Sequence, residues 1–426
     1  MPHKEDLSMK KYNCLVAQSG GPTVAINASL AGIIQSALEQ DSINTVYGAI
    51  NGIQGVLNDN LLVLNDIFAN DNNAIQTLMT SPAMYLGSCR YKLKDMDTTT
   101  EEYEQIFQLF ERYDIHAFFY IGGNDSMDTV DKLSQYAQKI NYDISIIGLP
   151  KTIDNDLMVT DHTPGFGSAA KFVATSVLEI AHDTYIYDLE SVTIIEIMGR
   201  DAGWLTAAAA LARNNYISAP DLIYLPERNF SCDTFIEDIK KCLTNNKNVI
   251  VAVSEGIHDE NGNYISATNA AADKFGHAQL SGTGKILEAL VKERIGCKVR
   301  SIELNVLQRS SMHCASLTDL QESFALGKQA VTSALNNENA IMLTIVREQN
   351  APYQTSISSV PVTQVANEAK SVPLSWINEE GNDVTEDMLT YLRPLIEGEP
   401  DINYQNGLPV YLPISHLFNE STSNTK

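Results

Sequence analysis

The stretch Ile144-Ser145-Ile146-Ile147-Gly148-Leu149-Pro150-Lys151-Thr152-Ile153-Asp154-Asn155-Asp156 passes from an apolar run into a polar turn that holds a lysine, a hydroxyl and two carboxylates. Residues Ile144 to Leu149 are short, apolar and β-branched, which reads as a strand. The turn after it is chemically unusual. Phosphoryl transfer to an alcohol asks a protein for a carboxylate that takes the hydroxyl proton, cations that offset charge, and a held geometry. Lys151, Thr152, Asp154 and Asp156 supply that set. The plain alternative is an Asx-rich turn with no ligand.

Working outward, the same rhythm recurs on both sides. Asn13 to Gln18 reads as a strand and Val24 to Leu38 as the helix after it. His116 to Ile121 is a strand and Met127 to Ile140 a helix. Beyond the opening stretch come a helix at Ala169 to His182, a strand at Ser191 to Met198, a helix at Ala202 to Arg213 and a strand at Asn248 to Ser254. Later segments are a helix at Gly284 to Arg294, a strand at Lys298 to Leu304, a long helix at Leu317 to Leu335 and a strand at Ala340 to Val346. Alternation of this kind predicts an α/β fold with largely parallel sheets, helices on their faces and ligands at the carboxyl ends of the strands. A change of domain falls near Thr163 to Gly167, where proline and glycine punctuate the chain. Past Val346 the periodicity fades. Val384 to Leu395 looks helical but carries no chemistry, and the polar tail Asn419 to Lys426 reads as frayed.

At 426 residues the chain predicts two or three domains, and 44% hydrophobic against 19% charged residues gives ample material for buried sheets. No run approaches the ~18 apolar residues that span a bilayer, and Met1 to Lys11 lacks the apolar core of a secretory signal. A cytoplasmic protein with no membrane partner is expected. The six cysteines are scattered with no CxxC pair, so they read as buried thiols in a reducing compartment, not as a zinc site. A formal charge of −24 repels polyanions, so nucleic acid is not an expected partner. A small anion needs only a local cluster of cations and amides.

Three further turns follow strands. Ser19-Gly20-Gly21-Pro22 and Gly122-Gly123-Asn124-Asp125-Ser126 each place paired glycines before a helix, where backbone N–H groups and the helix N-terminus can face an anion. Taken singly, the first is a tight turn and the second an N-cap; two of them in one sheet point to a shared phosphate site. Met198-Gly199-Arg200-Asp201-Ala202-Gly203-Trp204 offers a planar guanidinium suited to phosphate, or a strand-end arginine paired with Asp201.

In their order, SGG, GGNDS, PKTIDND and MGRDAG, followed by Ser254-Glu255-Gly256 and Leu307-Gln308-Arg309, resemble the phosphofructokinase family over about Tyr12 to Arg347. The resemblance implies two Rossmann-like domains with the active site in the cleft between them. One is expected at 1–165, completed by parts of 311–360, the second at 166–310, and 361–426 is an extension without an assigned role. It also implies magnesium-dependent transfer of a phosphoryl group to the 1-hydroxyl of fructose 6-phosphate. By position Asp154 matches the proton acceptor, with Asp156 beside it. Thr152, Ile153 and Asp154 match the substrate-binding stretch, as do Met198, Gly199 and Arg200. Glu255 matches a carboxylate that holds sugar hydroxyls, and Arg309 and Arg300 match cations for the sugar 6-phosphate. Gly20 and Arg90 match donor-phosphate contacts.

Asp125 and Lys151 resemble the pyrophosphate-dependent branch, since the ATP branch usually has glycine at both positions. A carboxylate at Asp125 would crowd and repel a nucleotide α-phosphate. Lys151 would give a fixed charge to a donor that brings no adenosine. Asn124 departs from the aspartate common at the magnesium position; an amide is a poorer ligand for a hard cation, which leaves the metal to Asp125 or to a bridging water. Val306 and Ser191 also depart from the family pattern at sugar-phosphate positions. Family practice further implies a homodimer or homotetramer in which a neighbour's arginines reach the sugar phosphate.

Rival readings are an ATP-dependent kinase, against which Asp125 and Lys151 stand, and a non-catalytic regulatory subunit, which would be expected to have lost Asp154 and Asp156. A structural protein without ligand leaves six ordered polar turns unexplained. Gly282-Thr283-Gly284-Lys285 is similar to a P-loop, but Ile286 fills the Ser/Thr position and Gln279 stands where a glycine belongs, so it reads as a helix start within the family-like stretch Phe275 to Leu280. No G-x-S-x-G elbow supports a hydrolase. His162, His182 and His313 read as packing or surface residues.

Overall fold

Apolar runs without alternation need cover on both faces, and here they get it. The fold is taken from a computed structural model that describes residues 11–266, 282–366 and 369–418. Residues 1–10, the stretch Phe275 to Leu280 and the tail Asn419 to Lys426 lie outside the described residues. A seven-stranded sheet has the order β11-β10-β5-β4-β1-β2-β3. Its strands are β1 (Tyr12–Gln18), β2 (Ile43–Ala49), β3 (Leu61–Val63), β4 (Ile115–Gly122), β5 (Ser145–Pro150), β10 (Ile341–Asn350) and β11 (Tyr353–Pro361). The five central strands are mutually parallel, and only β3 and β11 at the edges run antiparallel. A second sheet, entirely parallel, has the order β7-β8-β6-β9, from β6 (Ser191–Ile197), β7 (Leu222–Tyr224), β8 (Asn248–Ser254) and β9 (Lys298–Glu303). The expected α/β class with largely parallel sheets is what forms.

Strands β10 and β11 belong to the first sheet although they follow the whole of the second. The chain then returns once more. Val372, Ile377, Val384, Met388, Tyr391, Leu392 and Leu395 are buried in the core formed by helix Phe166–Tyr185 and the second sheet. Burying each such aliphatic side chain contributes about 1.5–3 kcal/mol, so residues 372–395 are structural material of the second half, while Leu412 and Leu417 pack against the first core. Val384 to Leu395, expected as one helix, is a helix at Glu386–Leu392 running into a 3₁₀ turn at Arg393–Ile396. Likewise the run Ala202 to Arg213 forms two short pieces, Trp204–Ala208 and Ala209–Ala212.

The glycine-rich turns cluster because parallel strands all point their carboxyl ends one way. β1, β4 and β5 deliver Ser19-Gly20-Gly21, Gly122-Gly123 and Lys151 to one edge of the first sheet, while β6 and β8 deliver Met198-Gly199-Arg200 and Glu255 from the second.

Candidate active site

The turn after β5 is laced by its own side chains. The Lys151 N–H donates to Gly122 O at 2.9 Å, binding it to the end of β4. The Asp154 N–H donates to Thr152 Oγ1 (3.1 Å), and Thr163 Oγ1 donates to Thr152 O (2.8 Å). Asn155 is left-handed, with φ of 55°, a conformation that its short amide tolerates better than most residues do. Its Oδ1 accepts from the Thr163 N–H (3.1 Å) and its Nδ2 donates to the Tyr391 hydroxyl (2.8 Å). With Asn155 fully buried, Asp154 is held on a backbone that has little freedom.

Two cavities meet at this turn. One, of about 320 Å³, is lined by Ile153, Met198, Glu255 and Arg309. The other, of about 520 Å³, is lined by Gly20, Gly123, Asn124, Asp125 and Ser126. Their common wall includes Lys151, Thr152, Asp154, Asp156, Arg90 and Arg200. A carboxylate on the shared wall can touch an acceptor in one chamber and a donor in the other. The Lys151 Nζ donates to Gly21 O at 2.7 Å, and a Cβ added at Gly20 would come within 3.0 Å of it, so the lysine overhangs the first glycine turn. Arg200 is oriented by Asp201, Nε to Oδ2 at 2.9 Å.

Burial dominates the electrostatics. It pushes the Asp154 carboxyl up to about 7, reinforced by the nearby Asp156 and opposed by Lys151 and Arg200. Asp156 is raised by the same burial. Glu255 rises to about 7 through burial and then through Asp154. Lys151 falls to about 8 because burial outweighs the attraction of Asp154 and Asp156. Groups poised near neutrality on one wall suit proton transfer.

Gly122 cannot be replaced without displacement, since a Cβ there would sit 1.9 Å from Ser126 Oγ. That close approach starts helix Asn124–Ile140 directly at the cavity, three residues earlier than expected, and brings Asn124 and Asp125 to its wall. Among the described residues no group of three or more His, Cys, Asp or Glu is placed to hold a metal ion by itself. An open site with one carboxylate and one amide fits magnesium, which commonly keeps several waters and takes substrate phosphates.

Of the residues singled out in the sequence, Gly199 stands behind the lining: its N–H approaches Glu255 Oε1 at 3.4 Å, and its φ of 131° permits the sharp exit from β6. Arg300 is the residue that the fold does not bring to the cleft of its own chain. It lies on β9, paired with Asp183 (NH1 to Oδ2, 3.2 Å) beside Tyr187 and Ser191. The P-loop-like turn proves to be plugged. The buried carboxylate of Glu196 accepts the Gly284 N–H at 2.8 Å at the start of helix Thr283–Arg294, so that helix end already has its anion. His162 is buried between Asp161 (2.8 Å) and Glu322 (2.7 Å), whose charges outweigh the cost of burial and raise it to about 9. Sequence reasoning missed Cys89, Tyr91 and Ala369 in the cavity wall, and Lys370, which is bonded to the turn after β5. Cys89 and Tyr91 flank Arg90 and were within reach of that residue's reading; Ala369 and Lys370 lie in a segment without periodicity.

Residues 13–334 match the family described as Phosphofructokinase. A Xanthomonas campestris protein named pyrophosphate–fructose 6-phosphate 1-phosphotransferase is 42% identical over 412 residues, covering 96% of this chain and 97% of that one. A protein of the same name from Halomonas elongata is 41% identical over 408 residues, covering 94% and 96%. The crystal structure of a pyrophosphate-dependent phosphofructokinase from Nitrosospira multiformis aligns with a TM-score of 0.85 at 38% identity, over 94% of this chain and 96% of that one.

Proposed function

The chain belongs to the phosphofructokinase family, and from that premise we propose that it moves a phosphoryl group from pyrophosphate to the 1-hydroxyl of fructose 6-phosphate, giving fructose 1,6-bisphosphate and phosphate. One observation carries the donor assignment: Lys151 overhangs the first glycine turn while Asp125 lines the same chamber. The lysine supplies fixed charge to a small inorganic donor, and the aspartate opposes the α-phosphate of a nucleotide.

Sugar hydroxyls are held by Glu255, and the sugar phosphate lies toward Arg309. Asp154 then accepts the proton of the 1-hydroxyl as that oxygen attacks the nearer phosphorus. Its raised proton affinity makes it a competent base close to neutral pH. Lys151, Arg90 and Arg200 face the transferring group and the departing phosphate, offsetting charge as it develops. Asp125 and Asn124 are the residues that would hold Mg²⁺, which when bound would supply positive charge to the phosphate oxygens. Asp156 supports Asp154 through the turn.

Arg300 lines neither chamber and pairs with Asp183, which supports a homodimer or homotetramer in which it serves a neighbouring copy. Among the described residues no helix is long and apolar enough to cross a membrane. The free cysteines suit a reducing cytoplasm. Initial rates with pyrophosphate and with ATP, measured side by side on fructose 6-phosphate with Mg²⁺, test the reading. Pyrophosphate is expected to be strongly preferred. A preference for ATP overturns the donor assignment, and full turnover in excess chelator overturns the metal.

A further inference from the structure

We infer that the C-terminal segment contributes a positioning residue, Lys370, which holds the 154–161 part of the catalytic turn in its working shape and ties it to the opposite wall of the cleft. The inference rests on the reading of Asp154 as the base. Lys370 spends its polar atoms on this one task. Its N–H donates to Asp156 O at 2.8 Å. Its ammonium donates to Asp161 O (2.8 Å), Thr160 O (3.1 Å) and Asn155 Oδ1 (3.4 Å). Its carbonyl accepts the indole N–H of Trp204 at 3.0 Å, and its Nζ lies 5.3 Å from the centre of that ring. Trp204 belongs to the MGRDAGW turn, so one residue bridges the carboxylate-bearing turn of the first sheet and the arginine-bearing turn of the second.

An ammonium has three N–H donors, and three protein oxygens take them. None is left for substrate, and Lys370 is absent from the linings of both chambers although its neighbour Ala369 reaches the donor side. Positioning, not contact, is therefore its task. Tyr391, from the same C-terminal segment, works on the same turn: its hydroxyl donates to Asp161 O (2.7 Å) and accepts from Asn155 Nδ2 (2.8 Å). The charges facing Lys370 are Asp161, Asp156 and Arg347; burial lowers the lysine to about 8 while the two aspartates oppose that fall. The cation in turn draws Asp156 toward its ionised form.

Two substitutions test this. Lys370→Met keeps the length and removes the charge and donors; Tyr391→Phe keeps the ring and removes only the hydroxyl. If the turn is being held, kcat falls by about 10–10²-fold in Lys370→Met and by a few-fold in Tyr391→Phe, because small misplacements of a base are expensive. KM for both substrates stays within about threefold. The acid limb of kcat/KM moves to higher pH in Lys370→Met, since loss of a cation raises the proton affinity of the Asp154–Asp156 pair. A purely structural lysine would lower the melting temperature without moving that limb. Wild-type kcat in both variants, or an unmoved limb in a folded Lys370→Met, overturns the inference. Should Lys370→Met fail to fold, kcat of Tyr391→Phe decides alone. The wild type is assayed first with both donors: the donor that works tests the functional reading, and the variant-to-wild-type ratio with that donor tests the inference.

Discussion

Lys151 and Lys370 form an instructive pair. Lys151 is buried and Lys370 half-buried, both are lowered to about 8 by burial, and both feel the charge of Asp156. Yet Lys151 opens onto two chambers and Lys370 onto neither. What separates them is donor accounting. Gly21 O is the hydrogen-bond acceptor found for the Lys151 ammonium among the described residues, leaving N–H donors for phosphate oxygens. Lys370 is saturated by Asp161, Thr160 and Asn155. Burial and charge alone do not identify a substrate-binding cation; unspent hydrogen-bonding capacity aimed at a cavity does.

The strongest way to break the comparison is to remove the base whose chemistry both lysines are read as serving. Asp154→Ala should lower kcat by on the order of 10²–10⁴ with the fold intact, and adding either lysine substitution should then cost much less than it does alone. Near-full turnover of Asp154→Ala would dismiss it as the base. Next, Lys151→Met should lower kcat/KM for pyrophosphate by roughly 10²–10³, because the charge it loses is aimed at the transferring group. An effect confined to fructose 6-phosphate would show the lysine serving the wrong chamber.

The pH dependence sharpens the contrast further. Asp154 must be ionised, so with its proton affinity raised to about 7 kcat/KM should fall about tenfold per unit below that pH. Lys151 must be protonated, so a second decline should start above about pH 8. If Lys151→Met keeps an alkaline limb near pH 8, that limb belongs to Lys370; if the limb vanishes, Lys151 owned it. The smallest effect expected is in Asp125→Gly, which should raise the ATP-to-pyrophosphate ratio of kcat/KM by up to roughly tenfold. An unmoved ratio would place the donor gate elsewhere.

The catalytic side of this contrast was legible because parallel strands announce themselves. β1, β5, β6 and β8 fall within about one residue of expectation, since each is a compact apolar or β-branched run with a polar turn at its carboxyl end. Helix starts were harder. Asn124, Asp125 and Ser126 resemble loop, yet they form the first turn of their helix, where polar side chains suit the unsatisfied N–H groups. Strand β11 was invisible because it is an edge strand of Ser, Thr and Gln with an alternately exposed face. Lys370 left no local signal, as its partners are backbone oxygens of a loop more than two hundred residues earlier. Arg300 was read from its motif position, but local sequence could not say that β9 would pair it with Asp183, away from both chambers.

The order in which the strands occur has a consequence for how the protein is made. β5 ends at Pro150, and its far-side neighbour β10 begins at Ile341. Roughly 190 residues must therefore leave the ribosome before that sheet edge is covered, on the order of 10–40 s at about 5–20 residues per second. Until then a hydrophobic parallel strand presents open hydrogen-bonding groups to the cell, the kind of edge that invites wrong pairing. The second core waits longer still, because Leu392 and Leu395 emerge among its last buried side chains. A nascent chain of this protein is thus a natural client for chaperones, and its yield should respond to translation speed more than that of a protein whose sheets close in sequence order.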